Sequence, residues 1–567
     1  MLSFPWLPRT RAARSRLPRW NTYPARASVL GVARTLTSAT RVLDVMRLLR
    51  PEDGIDKYCT VNPGSAFAEG LTEYLRRTGV RVLDWREATR GRFDLAVSCS
   101  VHPSMRRLDA PLMVLPHGAG YNRLVTESTG DTVSPAGLSR RELTHRGRVI
   151  PSVIGLSHRE QLTRLARSCP EAVPYAEVVG DWSFQRILHS LPHRDEYKAR
   201  LGAGGGRRLV VLHSTWSEHS LLGQHPDLPL DLVSQLPADE FAVAAVLHPN
   251  VWARHSPLGV YERVAKAMDA GLRMIPPEEG WRAAVVAGDW VIGDHGSTTF
   301  YSAAANHVTL LAATGLDELD PDSPTAAFAR QAPRLDPHGD LYAQLLSAEQ
   351  QYDPEALRPL IDAQLAEVAR SDVLTRGHMY RLLDVPSPTA PPDPDPVPPP
   401  LPRQGRPPTT YDVTGSAHGD GVVEVQRRPV IPGHHREARG FYAAAVEQSH
   451  PSWLSSAEVV ARTATDSATD TPAADWLLTA PDDFPDQDVL VAAIDEACAL
   501  VRLREGPVLE AHTRRPWGAA RPRLDPLLLG SALHLWLVAG GTPGRLVEGL
   551  LIRTGRRHMQ VGFSAAP

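Results

Sequence analysis

Trp290-Val291-Ile292-Gly293-Asp294-His295-Gly296-Ser297-Thr298-Thr299-Phe300 decides how this chain is read. A short apolar run ends at a glycine, and then come an acid, a histidine, a second glycine and three hydroxyl residues before apolar periodicity resumes. That is the pattern of a buried strand whose carboxyl end turns directly into a helix near Phe300. Gly296 permits close backbone approach, the hydroxyls suit a helix cap, and a helix N-terminus attracts anions.

Working outward, the same grammar repeats. Apolar runs at Val29 to Ala33, Tyr58 to Val61, Val80 to Leu83, Asp94 to Cys99, Pro111 to Leu115 and Val153 to Leu156 alternate with helical stretches. One of these follows Gly64, where Phe67, Leu71, Tyr74 and Leu75 form a single stripe. A second set of runs occupies Leu209 to Leu212, Phe241 to Leu247, Leu272 to Ile275, Trp290 to Ile292 and Val308 to Leu311. Alternation of this kind predicts parallel sheets covered on both faces. The expected class is α/β: two tandem Rossmann-like, doubly wound domains, residues 25–175 and 176–335, followed by crossing helices at 336–385. Residues 386–408 hold twelve prolines in twenty-three positions and read as a stiff exposed linker. Residues 409–567 read as a small α+β domain, with a strand at Gly421 to Val425, helices around Ser456 to Arg462 and Asp488 to Leu500, and final strands at Leu550 to Ile552 and Met559 to Phe563. Its Trp453, Trp476, Trp517 and Trp536 read as core residues.

Composition narrows the classes. The chain has 567 residues, 42% hydrophobic and 22% charged, with a formal net charge of -3, which excludes fibrous and disordered classes and predicts several globular domains. No uncharged apolar run reaches 18 residues; Leu527 to Leu537, the best, is short and carries His534. Cys59, Cys99, Cys169 and Cys498 are scattered, with neither a disulfide framework nor zinc spacing, so no metal site is expected. A cytoplasmic location fits. Residues 1–50 hold ten arginines against Asp44, a local +9 that leaves -12 for the remainder. Residues 1–24 therefore read as a basic arm able to contact an anionic membrane surface from the inner face.

In open α/β sheets ligands bind beyond the carboxyl ends of the strands. Four runs deliver a histidine there: Pro116-His117-Gly118-Ala119-Gly120, His213-Ser214-Thr215-Trp216, His248-Pro249-Asn250 and Asp294-His295-Gly296-Ser297-Thr298. Histidine serves near neutrality as a base or as a diphosphate partner. The Gly202-Ala203-Gly204-Gly205-Gly206-Arg207-Arg208 stretch precedes a strand and lacks the lysine of a phosphate-binding GxxxxGK[ST] loop, so it reads as a flexible loop. No motif supports sequence-specific nucleic-acid binding.

These motifs resemble GT-B glycosyltransferases, and within them the CDP-glycerol glycerophosphotransferases that build teichoic-acid-type polymers. The resemblance spans about residues 25–335. It implies a metal-independent, cofactor-free transferase that moves a glycosyl or glycerophosphoryl group from a nucleotide-diphosphate donor to an acceptor hydroxyl in an interdomain cleft. His117 would be the general base, and Gly118, Gly120, Asn122 and Arg123 would form the acceptor loop. His213, Ser214, Thr215, His248, Asp294, His295, Gly296, Ser297 and Thr298 would hold the donor and its phosphates. The sequence departs from the family pattern after His117-Gly118, where Ala119-Gly120-Tyr121-Asn122-Arg123 replaces Thr-Pro-Leu-Lys. It departs again at His295 and Ser214, where the family has Tyr and Pro. Two other readings stand beside it: a non-catalytic nucleotide- or sugar-binding regulatory protein, and a nucleotide-sugar 2-epimerase with carboxylates as acid and base, for which Asp294 is the candidate.

Overall fold

The computed structural model describes residues 25–393, 395–434, 439–504, 506–514 and 522–566. The basic arm at 1–24 and Trp517 lie outside them. The chain forms two compact units, one of residues up to Gln185 with Leu365–Asp393, the other of Arg186–Gln364 with Pro394 onward.

The first unit is built on a parallel sheet of β1 (Ala27–Ala33), β2 (Ile55–Val61), β3 (Arg81–Leu83), β4 (Leu95–Ser98), β5 (Leu112–Val114), β8 (Val153–Leu156) and β9 (Ala176–Val178), ordered β3-β2-β1-β4-β5-β8-β9. A hairpin, β6 (Thr144–His145) with β7 (Arg148–Val149), stands apart. Alternate residues divide between two cores: Val29, Ala33, Leu95 and Val97 pack on one face, Leu30, Val32, Ala96 and Val114 on the other. Both faces are covered because side chains alternate along a strand, and burying each large aliphatic contributes about 2 kcal/mol. The helix Ser371–Leu383 closes one face through Met379, Tyr380 and Leu383. β9, three half-buried residues, belongs to this sheet rather than opening the next domain.

The second unit carries β10 (Arg208–Ser214), β11 (Phe241–Leu247), β12 (Arg273–Ile275), β13 (Trp290–Gly293), β14 (Val308–Leu311) and β15 (Arg403–Gln404), ordered β14-β13-β10-β11-β12-β15. All neighbours are parallel except β15, which runs antiparallel to β12. The proline-rich segment is mostly exposed, as its composition predicts, but it is fastened to this unit at several points. The Val397 carbonyl accepts from Tyr197 Oη at 2.5 Å, those of Asp395 and Pro396 accept from Arg186 at 3.1 and 3.0 Å, and Val397 is buried. Proline removes a donor but leaves every carbonyl able to accept, so buried hydroxyl and guanidinium groups fasten it.

The C-terminal part corrects the α+β expectation. It is a closed barrel of β16 (Thr410–Ala417), β17 (Val422–Pro429), β18 (Phe441–Ala445), β19 (Val459–Arg462), β20 (Val489–Ala493), β21 (Cys498–Leu503), β22 (Val508–Thr513), β23 (Leu550–Thr554) and β24 (Arg557–Ala565). The stretches read as helices at 456–462 and 488–500 are strands. They are apolar on both sides because the helix Pro526–Val538 packs one face, through Leu529, Leu533 and Trp536, while the helix Ala473–Asp483 covers the other through Leu477 and Ala480. Among the described residues no helix is long and apolar enough to cross a membrane.

β17 fixes the barrel to the second sheet. The buried Arg427 guanidinium donates to Asp239 at 2.8 Å twice and to Asp525 at 2.6 Å, and Arg428 Nε donates to the Gln235 carbonyl. The residues engaged, 235–239, precede β11, so the barrel grips the amino-terminal edge of the sheet and leaves the carboxyl edge to other elements.

Candidate functional site

In the first unit His117 follows β5. Its Nδ1 lies 3.0 Å from the Cys99 carbonyl beyond β4, so Nδ1 carries the proton and donates, while Nε2 keeps the lone pair. The residue stands at the surface, and desolvation by the protein packed around its ring lowers its pKa; the bond to Cys99 opposes this, and Arg41 and Arg123 add to it. A neutral, oriented imidazole with an open Nε2 results. The loop after it is rigid: Asn122 Nδ2 donates to the Ala119 carbonyl at 2.7 Å, Arg164 bonds the Tyr121 carbonyl and Asn122 Oδ1, and Glu160 holds Arg164. Gly120 has φ +79° and its amide donates to the Gly118 carbonyl. Asn122 is thus a buried strut of the loop, and Gly118 and the half-buried Arg123 line its outer part. Burial pushes the Cys99 thiol up to about 12, which removes it as a nucleophile.

Arg34, at the carboxyl end of β1, escaped the sequence reading. Its guanidinium bonds Asn62 Oδ1 and the Pro63 carbonyl, burial lowers its pKa, and no carboxylate pairs with it among the described residues. An arginine directly after an apolar run was the available signal.

In the second unit the strand order reverses between β10 and β13, the crevice where open sheets bind ligands. Asp294 ties the two strand ends together. Its Oδ2 accepts from the Thr215 amide at 2.7 Å, Thr215 Oγ1 at 2.8 Å and the Leu221 amide at 2.9 Å, and its Oδ1 accepts from the Gly296 amide at 3.0 Å. Fully buried and with its lone pairs engaged, Asp294 is a keystone and not an acid or base facing substrate. Ser214 does similar work, with its Oγ accepting from the Leu222 amide.

The histidines divide. His213 is completely buried against the Thr298 backbone, and burial pushes its pKa down to about 3. It stays neutral and internal, so it is withdrawn from any diphosphate. His295 is also buried: Nε2 meets Glu318 Oε2 at 3.1 Å, and Nδ1 faces Gly315. At Gly315, φ +50°, a Cβ would stand 2.0 Å from that nitrogen, so only glycine fits both the turn and the contact. His295 clamps the β13 loop to the β14 loop. Gly315 and Glu318 were missed, although they too follow an apolar run.

The other residues read at this edge are His248, Ser297 and Thr298. His248 is half-buried; its Nδ1 accepts from the Asn250 amide at 3.1 Å, which leaves Nε2 protonated, and Trp216 stands beside it with ring centroids 6.5 Å apart. The helix Ser297–Ala304 starts from Gly296, so no side chain caps its first turn. Ser297 and Thr298 are half-buried there. A Trp face, an imidazole N–H and an uncapped helix start suit a flat base and an anion.

No family model and no curated protein matches the sequence. Among solved structures the chain is similar to the wall teichoic acid polymerase TagF, at 11% identity over 63% of this chain and 88% of that one, TM-score 0.43. It is also similar to Anabaena HepE in complex with UDP-glucose (12%, 63% and 99%, TM-score 0.37) and to S. aureus MnaA with UDP (9%, 64% and 100%, TM-score 0.40). The reading of the site rests on its own residues.

Proposed function

We propose that the protein is a transferase that moves a glycosyl or glycerophosphoryl group from a nucleotide-diphosphate donor to an acceptor hydroxyl, at the cytoplasmic face of a membrane. The observation that carries this reading is the state of His117: proton fixed on Nδ1 by the Cys99 carbonyl, Nε2 open, charge suppressed. Nε2 takes the acceptor proton as the hydroxyl oxygen attacks carbon or phosphorus, a contribution of about 10² to 10⁴ in rate. The bond to the donor's phosphate breaks, and the released nucleotide carries the electron pair away as negative charge. His248 and the start of the helix Ser297–Ala304 meet that charge, so the reading needs no cofactor or divalent metal. Asp294 and the His295–Glu318 pair hold those groups in place.

The withdrawal of His213 and His295 from solvent favours one other reading, a non-catalytic nucleotide sensor on the same scaffold. The 2-epimerase reading loses its acid-base candidate, because Asp294 is consumed by its four bonds.

Replacing His117 with alanine separates the two remaining readings. The transferase reading expects donor turnover to vanish while nucleotide still stabilises the protein. It also expects the acid limb of the wild-type rate to fall below the ordinary histidine value of 6.5, since protonation of Nε2 removes the base. Unchanged turnover in His117→Ala overturns the assignment, and no wild-type turnover with any donor favours the sensor.

A further inference from the structure

The glycine-rich stretch 202–208 has no part in the site above. It links the helix Arg194–Arg200 to β10 at the amino-terminal edge of the second sheet, opposite the edge that holds Thr215 and His248. Three guanidiniums from three separate elements gather on it. Arg207 donates from Nη1 to the Gly202 carbonyl at 3.0 Å and from Nη2 to the Phe241 carbonyl at 2.6 Å. Arg273, first residue of β12, packs so closely on Gly202 that a Cβ there would meet its Cζ at 2.1 Å. Gly202 has φ +74°, so the turn favours glycine, and its bare Cα lets the Arg273 guanidinium lie against it. Arg557, first residue of β24 of the barrel, lies along Gly205 and Gly206, its Cγ 3.3 Å from where a Gly206 Cβ would stand.

None of the three pairs with a carboxylate among the described residues. The acids nearby are engaged elsewhere: Asp239 with Arg427, Glu240 with Gln426, and Glu349 with Arg208 and Arg556. Arg207 Nε is buried and has no hydrogen-bond partner among the described residues. Burial and the charges of Arg273 and Arg557 hold Arg207 down to about 10, and burial lowers Arg273 as well. Arg207 and Arg273 are half-buried and Arg557 exposed; Asp239 offsets part of the charge on Arg207, whereas the neighbouring Arg208, Arg427 and Arg556 are each paired directly. Arginine forks match phosphate oxygens in geometry and charge, and Gly205 and Gly206, both exposed, put no side chain in the way.

We propose that the Gly202–Gly206 loop with Arg207, Arg273 and Arg557 binds the phosphoryl group of a small phosphorylated molecule. Because Arg557 comes from the barrel and the other two from the sheet, the ligand fastens one to the other. The site is separate from the proposed transferase site and does not depend on that reading.

Titration calorimetry and thermal unfolding of the full chain with inorganic phosphate and pyrophosphate, against sodium chloride at matched ionic strength, test it. Saturable binding with a raised midpoint is expected. Its dissociation constant should rise about tenfold or more in Arg557→Gln and in the Arg273→Gln, Arg557→Gln double variant, as the loss of charge-assisted bonds requires. Arg557→Gln alters an exposed side chain, so its folding is secure. His295→Ala, at the opposite edge, should leave phosphate binding intact. Sedimentation with phosphatidic acid vesicles, compared with phosphatidylcholine, separates a lipid headgroup from a soluble phosphate as the source. Absence of saturable binding in every arm, or binding unchanged in the double variant, would overturn the site.

Discussion

Asp294→Asn is the sharpest perturbation of the donor-side scaffold. The carboxylate is fully buried and accepts four bonds, three from backbone amides and one from the Thr215 hydroxyl. Asparagine keeps one oxygen, which can still serve Thr215 and Leu221. Its amide nitrogen then confronts the Gly296 N–H, so one bond is lost, one donor is stranded, and the remaining bonds lose their charge assistance. At about 0.5 kcal/mol for each of the three bonds that lose charge assistance and about 1–2 for the stranded buried donor, the loss comes to about 3 kcal/mol. Asp294→Ala strands all the donors and should cost more, about 5 kcal/mol, while Thr215→Val removes only the hydroxyl and should cost about 1. Urea unfolding followed by tryptophan fluorescence would rank the three. Amide exchange at Thr215, Leu221 and Gly296 should quicken about 100-fold in Asp294→Asn if opening of the loop carries that cost. Equal stability of all three variants with wild type, and unchanged exchange, would refute the keystone role.

Three further outcomes are expected. Burial holds His213 near 3 and His307 near 4, against about 6.5 for an unfolded histidine. The unfolded chain therefore binds protons first as pH falls below 6.5, and stability drops by about 1.4 kcal/mol per pH unit for each ring until the folded values are reached; thermal midpoints of His213→Leu between pH 7 and 4.5 should fall less steeply than wild type, and identical slopes would contradict this. Arg427→Ala strands Asp239 and Asp525 at the barrel seam and should cost about 3–5 kcal/mol, with faster protease cleavage there; an unchanged midpoint would deny the seam its role. Removal of residues 1–24 should abolish salt-sensitive binding to acidic vesicles, and undiminished binding would discard the proposed membrane contact.

The Rossmann-like sheets were legible because continuous apolar runs such as Phe241 to Leu247 have one physical use, a strand covered on both faces. β9 was not, since three half-buried residues make no such run. In the barrel, the Ala-rich runs at 456–462 and 488–500 suit a helix or a doubly buried strand equally, and only the helices Pro526–Val538 and Ala473–Asp483 decide between them. The carboxyl-edge rule brought His117, Thr215, His248 and Asp294 forward correctly as residues of strand ends. Which way each side chain turns depends on partners far along the chain, such as Gly315 and Glu318 for His295, and no local pattern encodes that.

On the proposed function, the carboxyl edge of the second sheet holds a nucleotide. Thermal unfolding of the full chain against CMP, CDP-glycerol, UDP, UDP-sugars, GDP and dTDP, beside His248→Ala, tests it most directly. A ligand at about 100 times its dissociation constant adds roughly 2.7 kcal/mol to the folded state, enough to move the midpoint visibly. A shift by one base family that is lost in His248→Ala is expected; no shift by any nucleotide, or a shift that survives that variant, would contradict nucleotide binding at this edge.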